Sequence, residues 1–158
     1  MSYSHVRLVA LDVDGTMTDG KIIYSSSGVS QGFSSKDGAG IKRLLENGVE
    51  VAFVSFRDFD STRRRAQDLG VKLLCLGTKD KAGALTNLAR HLEIDLSSVL
   101  FMGDDLIDIP AMMIAGVSAC PCDASPEVRE ICSFVAGSSG GRGAVREVAE
   151  LILGASCE

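Results

Sequence analysis

The chain has 158 residues, of which 46% are hydrophobic and 23% charged, as is typical of a soluble globular protein. We expect a single domain over residues 1–158, because this length is sufficient for one domain with a sizeable core. The net charge of −5 argues against a nucleic acid partner, and the absence of a long apolar run argues against a membrane span. Five cysteines without a secretory segment indicate reduced thiols and a cytoplasmic location.

Strand-like and helix-like segments alternate along the chain, which predicts an α/β fold: a Rossmann-like parallel sheet with helices on both faces. The predicted strands are Val6–Val13, Val49–Ser55, Leu73–Leu76, Val99–Met102, Val117–Ala119 and Phe134–Val135. The predicted helices lie over Gly40–Asn47, Ser61–Leu69, Lys79–Leu92, Ile107–Ile114, Ser125–Cys132 and Gly143–Leu153. The first strand is almost entirely apolar, so we expect it to be buried on both faces of the sheet.

Residues 20–33 interrupt the alternation with two short strands around a Ser-Ser-Gly turn, a pattern that predicts a protruding β-hairpin. The hairpin follows the first strand, so it lies at the C-terminal edge of the sheet, where open α/β proteins bind their ligands. It would either fold over its own subunit or pair with another subunit. No inserted segment is long enough to form a separate cap domain.

Two aspartates, Asp12 and Asp14, follow the first strand and precede Gly15 and Thr16. If the chain turns at Gly15, the two carboxylates converge on one small volume. Carboxylates so close repel each other, and such a pair usually holds a cation or shares a proton. An ordinary Asp-Gly turn has the same sequence, so this pair by itself leaves both interpretations open.

Polar residues also follow three later strands. The second strand ends at Ser55, Lys81 stands near the start of the helix after the third strand, and Asp104 and Asp108 follow the fourth. Each of these residues has an ordinary explanation when it is taken singly, since serine caps helices, lysine is usually solvated and Gly-Asp-Asp forms turns. All of them stand at the sheet edge where ligands bind.

Together and in this order, the motifs resemble those of the haloacid dehalogenase superfamily of phosphotransferases, and the resemblance covers nearly the whole chain. It implies that Asp12 is the nucleophile that attacks phosphorus and that Asp14 is the general acid and base. It also implies that Ser55 and Lys81 hold the phosphoryl oxygens. A carboxylate nucleophile forms an aspartyl phosphate, which splits one difficult step into two.

The resemblance further implies a Mg²⁺ site. Asp12, Asp104 and the main-chain carbonyl of Asp14 would bind the ion, and Asp108 would stand behind them in the second acidic position of the motif. Oxygen ligands of this kind suit Mg²⁺, which also retains waters and binds the substrate phosphate. The positive charge is needed because the attack brings one anion toward another.

Within the superfamily, the chain is similar to the capless 3-deoxy-D-manno-octulosonate 8-phosphate phosphatases, with 2-keto-3-deoxynononate 9-phosphate phosphatases as close relatives. The matching segments are Asp12–Gly15, Thr18–Gly20, Lys36–Ile41 and Gly140–Glu147. The resemblance implies a phosphorylated 2-keto-3-deoxy sugar acid as substrate and a homotetramer in which neighbouring subunits cap each site. The phosphatase-like domain of some acylneuraminate cytidylyltransferases is also similar, which leaves a second hypothesis, a non-catalytic tetramerisation module.

A substrate of this class carries a carboxylate as well as a phosphate, so we expect cations outside the phosphate pocket. The candidates are Arg57, Arg64, Arg142 and Lys36. One residue departs from the pattern of the superfamily, because Phe56 directly follows Ser55, where the superfamily usually has a glycine. Phe56 must therefore hold an ordinary backbone conformation and place its ring away from the phosphate.

Overall fold

The computed structural model describes residues 3–154, which form the α/β fold that the sequence predicts. The strands, in chain order, are β1 (Leu8–Leu11), β2 (Ile23–Ser25), β3 (Gly28–Ser30), β4 (Glu50–Ser55), β5 (Leu73–Leu76), β6 (Val99–Met102), β7 (Val117–Cys120) and β8 (Phe134–Val135). The helices are α1 (Ser35–Glu46), α2 (Asp60–Leu69), α3 (Lys81–His91), α4 (Ile109–Ile114), α5 (Pro126–Ile131) and α6 (Ala144–Leu153). Except at the start of α1 and at the two ends of the hairpin, the predicted boundaries lie within two residues of the observed ones.

Six strands form one parallel sheet in the order β5-β4-β1-β6-β7-β8. The chain runs from β1 outward to β4 and β5, then returns to the other side of β1 with β6. Such a reversal opens a crevice at the carboxyl ends of the strands. The polar residues that follow β1, β4 and β6 therefore meet at one place.

Helices cover both faces of this sheet, because side chains along each strand alternate between the two faces. On β1, Val9 and Leu11 pack on one side against α1, α2 and α6. Leu8 and Ala10 pack on the other side against α3, α4 and α5. All of these strand residues are fully buried, which confirms the prediction of a first strand with two buried faces.

Helix α1 begins at Ser35, well before the predicted start at Gly40. The side chain of Ser34 caps it and accepts a hydrogen bond from the N–H of Asp37 at 3.4 Å. Glycine disfavours a helix by propensity, but a side chain at Gly40 would crowd the backbone of Arg146 in α6. The predicted boundary is wrong because close packing between the two helices outweighs propensity.

The hairpin forms as predicted and lies outside the main sheet. Strands β2 and β3 pair with each other in antiparallel register, Ile23 opposite Ser30, around a turn at Ser26–Ser27. The side chains of Ile23 and Tyr24 are highly exposed, at 57% and 75%. Apart from this hairpin, no cap domain is inserted between the elements of residues 3–154.

The cysteines within the described residues are free thiols, as the composition predicts: Cys75, Cys120, Cys122 and Cys132. Cys157 lies outside the described residues. Among residues 3–154, no helix has the length and apolar character needed to cross a bilayer.

Candidate active site

A cavity of about 280 Å³ opens at the carboxyl ends of the central strands. It brings together every residue for which the sequence predicts a catalytic, phosphate-binding or metal-binding role. Its walls are formed by Asp12, Asp14, Ser55, Phe56, Arg57, Lys81, Asp104, Asp105, Ile107 and Asp108.

The loop after β1 brings Asp12 to the floor of this cavity. The N–H of Asp12 still donates to the Met102 carbonyl of β6 at 2.9 Å, so the backbone at this residue is held by the sheet. The chain then turns at Gly15, which has a φ of +88°. A side chain at Gly15 would overlap the carboxylate of Asp104, so only glycine allows the two loops to approach this closely.

Lys81 is the first residue of α3, and its ammonium group lies between two carboxylates. Its Nζ donates to Asp12 Oδ1 at 2.5 Å and to Asp108 Oδ1 at 2.6 Å, and only 2% of the residue is exposed. Burial lowers the pKa of Lys81, but the two carboxylates outweigh burial and raise the pKa above its usual value. The ammonium is therefore charged at neutral pH, and its remaining N–H is available to a phosphoryl oxygen in the cavity.

Asp108 is fully buried and anchors the loop after β6. Its Oδ2 accepts from the N–H groups of Asp104 at 2.9 Å and Asp105 at 3.1 Å, while Lys81 occupies its Oδ1. A side chain at Gly103 would overlap Asp108, so glycine is required there as well. Asp108 thus orients both Lys81 and the Asp104 loop. This placement suits the role that the resemblance implies for Asp108, which is to stand behind the metal ligands.

The carboxylates of Asp12 and Asp104 lie on either side of the Thr16 hydroxyl, whose Oγ1 is 3.2 Å from Asp12 Oδ2 and 3.3 Å from Asp104 Oδ1. Burial, followed by repulsion from Asp108, raises the pKa of Asp12 well above its usual value. Burial likewise raises the pKa of Asp104 to about 6, with a further contribution from Asp108. Without a cation, this site therefore resists full ionisation.

The donor set fits a small divalent cation. Asp12, Asp104 and Asp108 each place a carboxylate oxygen within 4.8 Å of the others, and Lys81 is the ammonium buried beside them. The excess of buried negative charge is what a hard cation with oxygen ligands would offset. Asp108 is fully buried and accepts from three donors of the protein, more than either Asp12 or Asp104 does, so Asp12 and Asp104 are the better ligands.

Asp14 points away from this cluster. Its Oδ1 accepts a hydrogen bond from Gln31 Nε2 at 2.7 Å, and its Oδ2 lies 3.7 Å from Nη1 of Arg57. The separation of Asp14 from the other carboxylates suits a group that transfers protons. The sequence does not predict Gln31, because a lone glutamine in a segment rich in serine and glycine carries no motif, and its contact depends on the return of the hairpin toward β1.

Ser55, Phe56 and Arg57 also line the cavity. Ser55 is the buried last residue of β4, and its Oγ accepts from the N–H of Arg57 at 3.2 Å. Phe56 is 43% exposed at the cavity rim, with the cations of Arg57 and Lys79 at 6.0 and 5.8 Å from its ring centre. Its φ is not positive, so the expected ordinary backbone conformation is found. Its side chain lines the cavity where the superfamily usually has glycine.

The three arginines of α2 point in different directions, because successive helix residues diverge by about 100°. Arg63 pairs with Asp58 at 2.7 Å, Arg65 donates to the Ser34 carbonyl at 3.0 Å, and Arg64 is exposed. None of the three lines the cavity of its own subunit.

Two other predicted substrate cations, Arg142 and Lys36, are exposed and stand outside the cavity walls. The loop that carries Arg142 nevertheless packs on the Asp12 loop, since the N–H of Gly141 donates to the Thr16 carbonyl at 3.1 Å. Among the candidates, the structure thus brings Arg57 to the cavity of this subunit. Roles for Arg64, Arg142 and Lys36 stay predictions.

Known proteins resemble this chain along almost its whole length. Residues 77–148 match the family model of the haloacid dehalogenase-like hydrolases. The 3-deoxy-D-manno-octulosonate 8-phosphate phosphatase KdsC of Haemophilus influenzae is 37% identical over 150 residues, which are 94% of this chain and 83% of that protein. The KdsC of Escherichia coli K12 is 38% identical over 150 residues, which are 94% of this chain and 80% of that protein.

Solved structures have the same fold. A 3-deoxy-D-manno-octulosonate 8-phosphate phosphatase of Moraxella catarrhalis, in complex with a magnesium ion, a phosphate ion and KDO, is similar with a TM-score of 0.93 at 38% identity, over 96% of this chain and 87% of that one. The cobalt-bound phosphatase of H. influenzae gives a TM-score of 0.93 at 36% identity, over 97% and 90%. By sequence and by fold, this chain belongs to the haloacid dehalogenase-like hydrolases, among their phosphoric monoester hydrolases.

Proposed function

We propose that this chain hydrolyses the phosphate ester of a 2-keto-3-deoxy sugar acid, with 3-deoxy-D-manno-octulosonate 8-phosphate as the first candidate and 2-keto-3-deoxynononate 9-phosphate as the second. The proposal rests on the buried pair of Asp12 and Lys81, 2.5 Å apart at the floor of the cavity. A carboxylate held beside an ammonium is placed to attack a phosphoryl group. The similarity to the KdsC phosphatases supports the substrate class.

The reaction takes two steps on this chain's own residues. First, an Asp12 oxygen attacks phosphorus, the bond from phosphorus to the sugar oxygen breaks, and Asp14 gives a proton to that oxygen. Then Asp14 takes a proton from a water molecule whose oxygen attacks phosphorus, and the bond from phosphorus to Asp12 breaks. Ser55 and Lys81 hold the phosphoryl oxygens in both steps.

Mg²⁺ is the cation we propose for the carboxylate cluster, bound by Asp12, Asp104 and the main-chain carbonyl of Asp14. When bound, it would supply positive charge that offsets the repulsion of the nucleophile and the phosphate. Asp108 stays behind these ligands, because Lys81 and two N–H groups occupy its oxygens.

Stabilisation by Mg²⁺ should depend on pH. The pKa of Asp104 is about 6 in the folded chain, above its usual value, so the metal-free fold loses stability as pH rises through the range between the two values. Mg²⁺ binds the ionised carboxylates and offsets this loss. We therefore expect Mg²⁺ to raise Tm by several degrees at about pH 7.5 and by much less at about pH 5.

Differential scanning fluorimetry with and without Mg²⁺ at the two pH values measures this difference. Asp104→Asn removes one proposed ligand, so it should abolish the Mg²⁺-dependent shift at both pH values. An equal shift at both pH values would contradict proton-linked binding at this cluster.

The substrate is tested by phosphate release from the full chain with Mg²⁺. We expect kcat/KM for 3-deoxy-D-manno-octulosonate 8-phosphate to exceed that for glucose 6-phosphate, which has no carboxylate, by about tenfold or more, as one charge-assisted contact with Arg57 would give. Comparison of this kcat/KM with that for 2-keto-3-deoxynononate 9-phosphate shows which sugar is preferred. No release from either sugar acid would contradict the proposal and favour the tetramerisation module.

We also propose that the chain folds as one domain and works in the cytoplasm as a homotetramer, in which hairpins associate and neighbours cap each cavity. An isolated two-stranded hairpin is marginally stable in water, and Ile23 and Tyr24 present apolar surface without a partner in this subunit. Sedimentation velocity measures the assembly directly. A monomer at micromolar concentration would contradict this arrangement.

A further inference from the structure

The side chain of Gln31 connects Asp14 to helix α2. Its Nε2 donates to Asp14 Oδ1 at 2.7 Å, and its Oε1 accepts from Ser61 Oγ at 2.6 Å and from Thr62 Oγ1 at 2.9 Å. Ser61 and Thr62 lie in the first turn of α2, and Thr62 is buried. Both ends of one amide are therefore held by partners on different elements.

The orientation of this amide follows from its partners. A carboxylate only accepts hydrogen bonds, so the NH₂ end must face Asp14, since an amide oxygen in that place would repel it. The oxygen end then faces α2, where two hydroxyl groups donate to it. With either hydroxyl removed, the other still holds the amide oxygen; with both removed, only the bond to Asp14 holds the amide, so its position is less well fixed.

We propose that Gln31 is a positioning residue for Asp14. Its bond fixes Oδ1, which leaves Oδ2 as the atom that gives a proton to the leaving oxygen and takes one from water. A fixed carboxylate meets the leaving oxygen in one geometry, whereas a rotating one must find that geometry in every turnover. This inference rests on the proposed phosphatase function. It adds a role for the residue that directly follows β3 of the hairpin.

The leaving group provides the test. A sugar alkoxide needs a proton to leave, whereas p-nitrophenolate leaves without one. In the first step, which kcat/KM reports, positioning of Asp14 therefore affects only the first kind of substrate. We expect Gln31→Leu to lower kcat/KM for 3-deoxy-D-manno-octulosonate 8-phosphate about tenfold with KM nearly unchanged. The same variant should change kcat/KM for p-nitrophenyl phosphate by less than about twofold.

Two further variants make the test specific. The double variant Ser61→Ala/Thr62→Val keeps Gln31 but removes both donors to its amide oxygen, so it should show the same selective loss in smaller measure. Gln67→Leu makes the same substitution at an exposed glutamine of α2 and should change kcat/KM for neither substrate.

The outcomes separate the two proposals. Equal losses on both substrates, or no loss on the sugar phosphate, would overturn the role of Gln31 while the phosphatase function stands. Failure of the unmodified chain to cleave either ester would instead remove the proposed function, and the positioning role with it.

Discussion

Replacement of Asp12 by asparagine should reduce phosphate release at least about 10³-fold. Asparagine has nearly the same shape as aspartate but has no anionic oxygen to attack phosphorus. The loss should not come from unfolding, because Asp12 is one of several buried carboxylates that repel each other, and burial already raises its pKa. We therefore expect the Tm of Asp12→Asn to equal or exceed that of the unmodified chain.

Phosphate release and thermal melting on the same preparations test this expectation. Asp68→Asn is the matched control, since Asp68 is exposed on α2 and should affect neither measurement. Residual activity above about one tenth of normal would show that Asp12 is not the nucleophile.

The intermediate can be sought directly. Acid quenching during turnover, followed by mass spectrometry, should find a phosphoryl group on the peptide that contains Asp12, because acyl phosphates last longer in acid than in the active site. The Asp12→Asn variant should show none. A phosphoryl group on another residue in the unmodified chain would point to a different nucleophile.

The sequence predicts which polar groups line the cavity, because most of them stand where a buried strand ends. An apolar run followed at once by a carboxylate, hydroxyl or acidic loop indicates both the strand and its carboxyl end, and parallel strands bring those ends together. Asp12, Ser55 and Asp104 are of this kind. Lys81 follows from its place at the start of α3.

Groups that come from irregular segments are much harder to predict. Gln31 reaches Asp14 only because the hairpin folds back, and no local pattern encodes that path. Whether Arg64 faces the cavity depends on the rotation of α2 about its axis, which is fixed by packing of Thr62 and Ala66 into the core. Tertiary contacts thus decide these positions, whereas local sequence decides the ends of the strands.

Lys81→Met should affect activity and stability together. The variant removes the ammonium that offsets Asp12 and Asp108, while the aliphatic part of the side chain is preserved. We expect kcat/KM to fall about 10²-fold or more, since a charge aimed at the transferring phosphoryl group is lost. Breaking a buried ion pair leaves uncompensated carboxylates, so the free energy of unfolding should fall by about 3 kcal/mol at about pH 8.

The pH dependence of this stability loss shows its cause. Near pH 5 the Asp12 and Asp104 carboxylates, whose pKa values burial already raises, take up protons in the variant, so the loss should shrink to about 1 kcal/mol. Urea unfolding at both pH values measures it, with Lys79→Met, a surface lysine two positions earlier, as the control expected within about 0.5 kcal/mol of normal. An equal loss at both pH values would mean that Lys81 stabilises the fold by packing, and the charge balance inferred for this cavity would then be wrong.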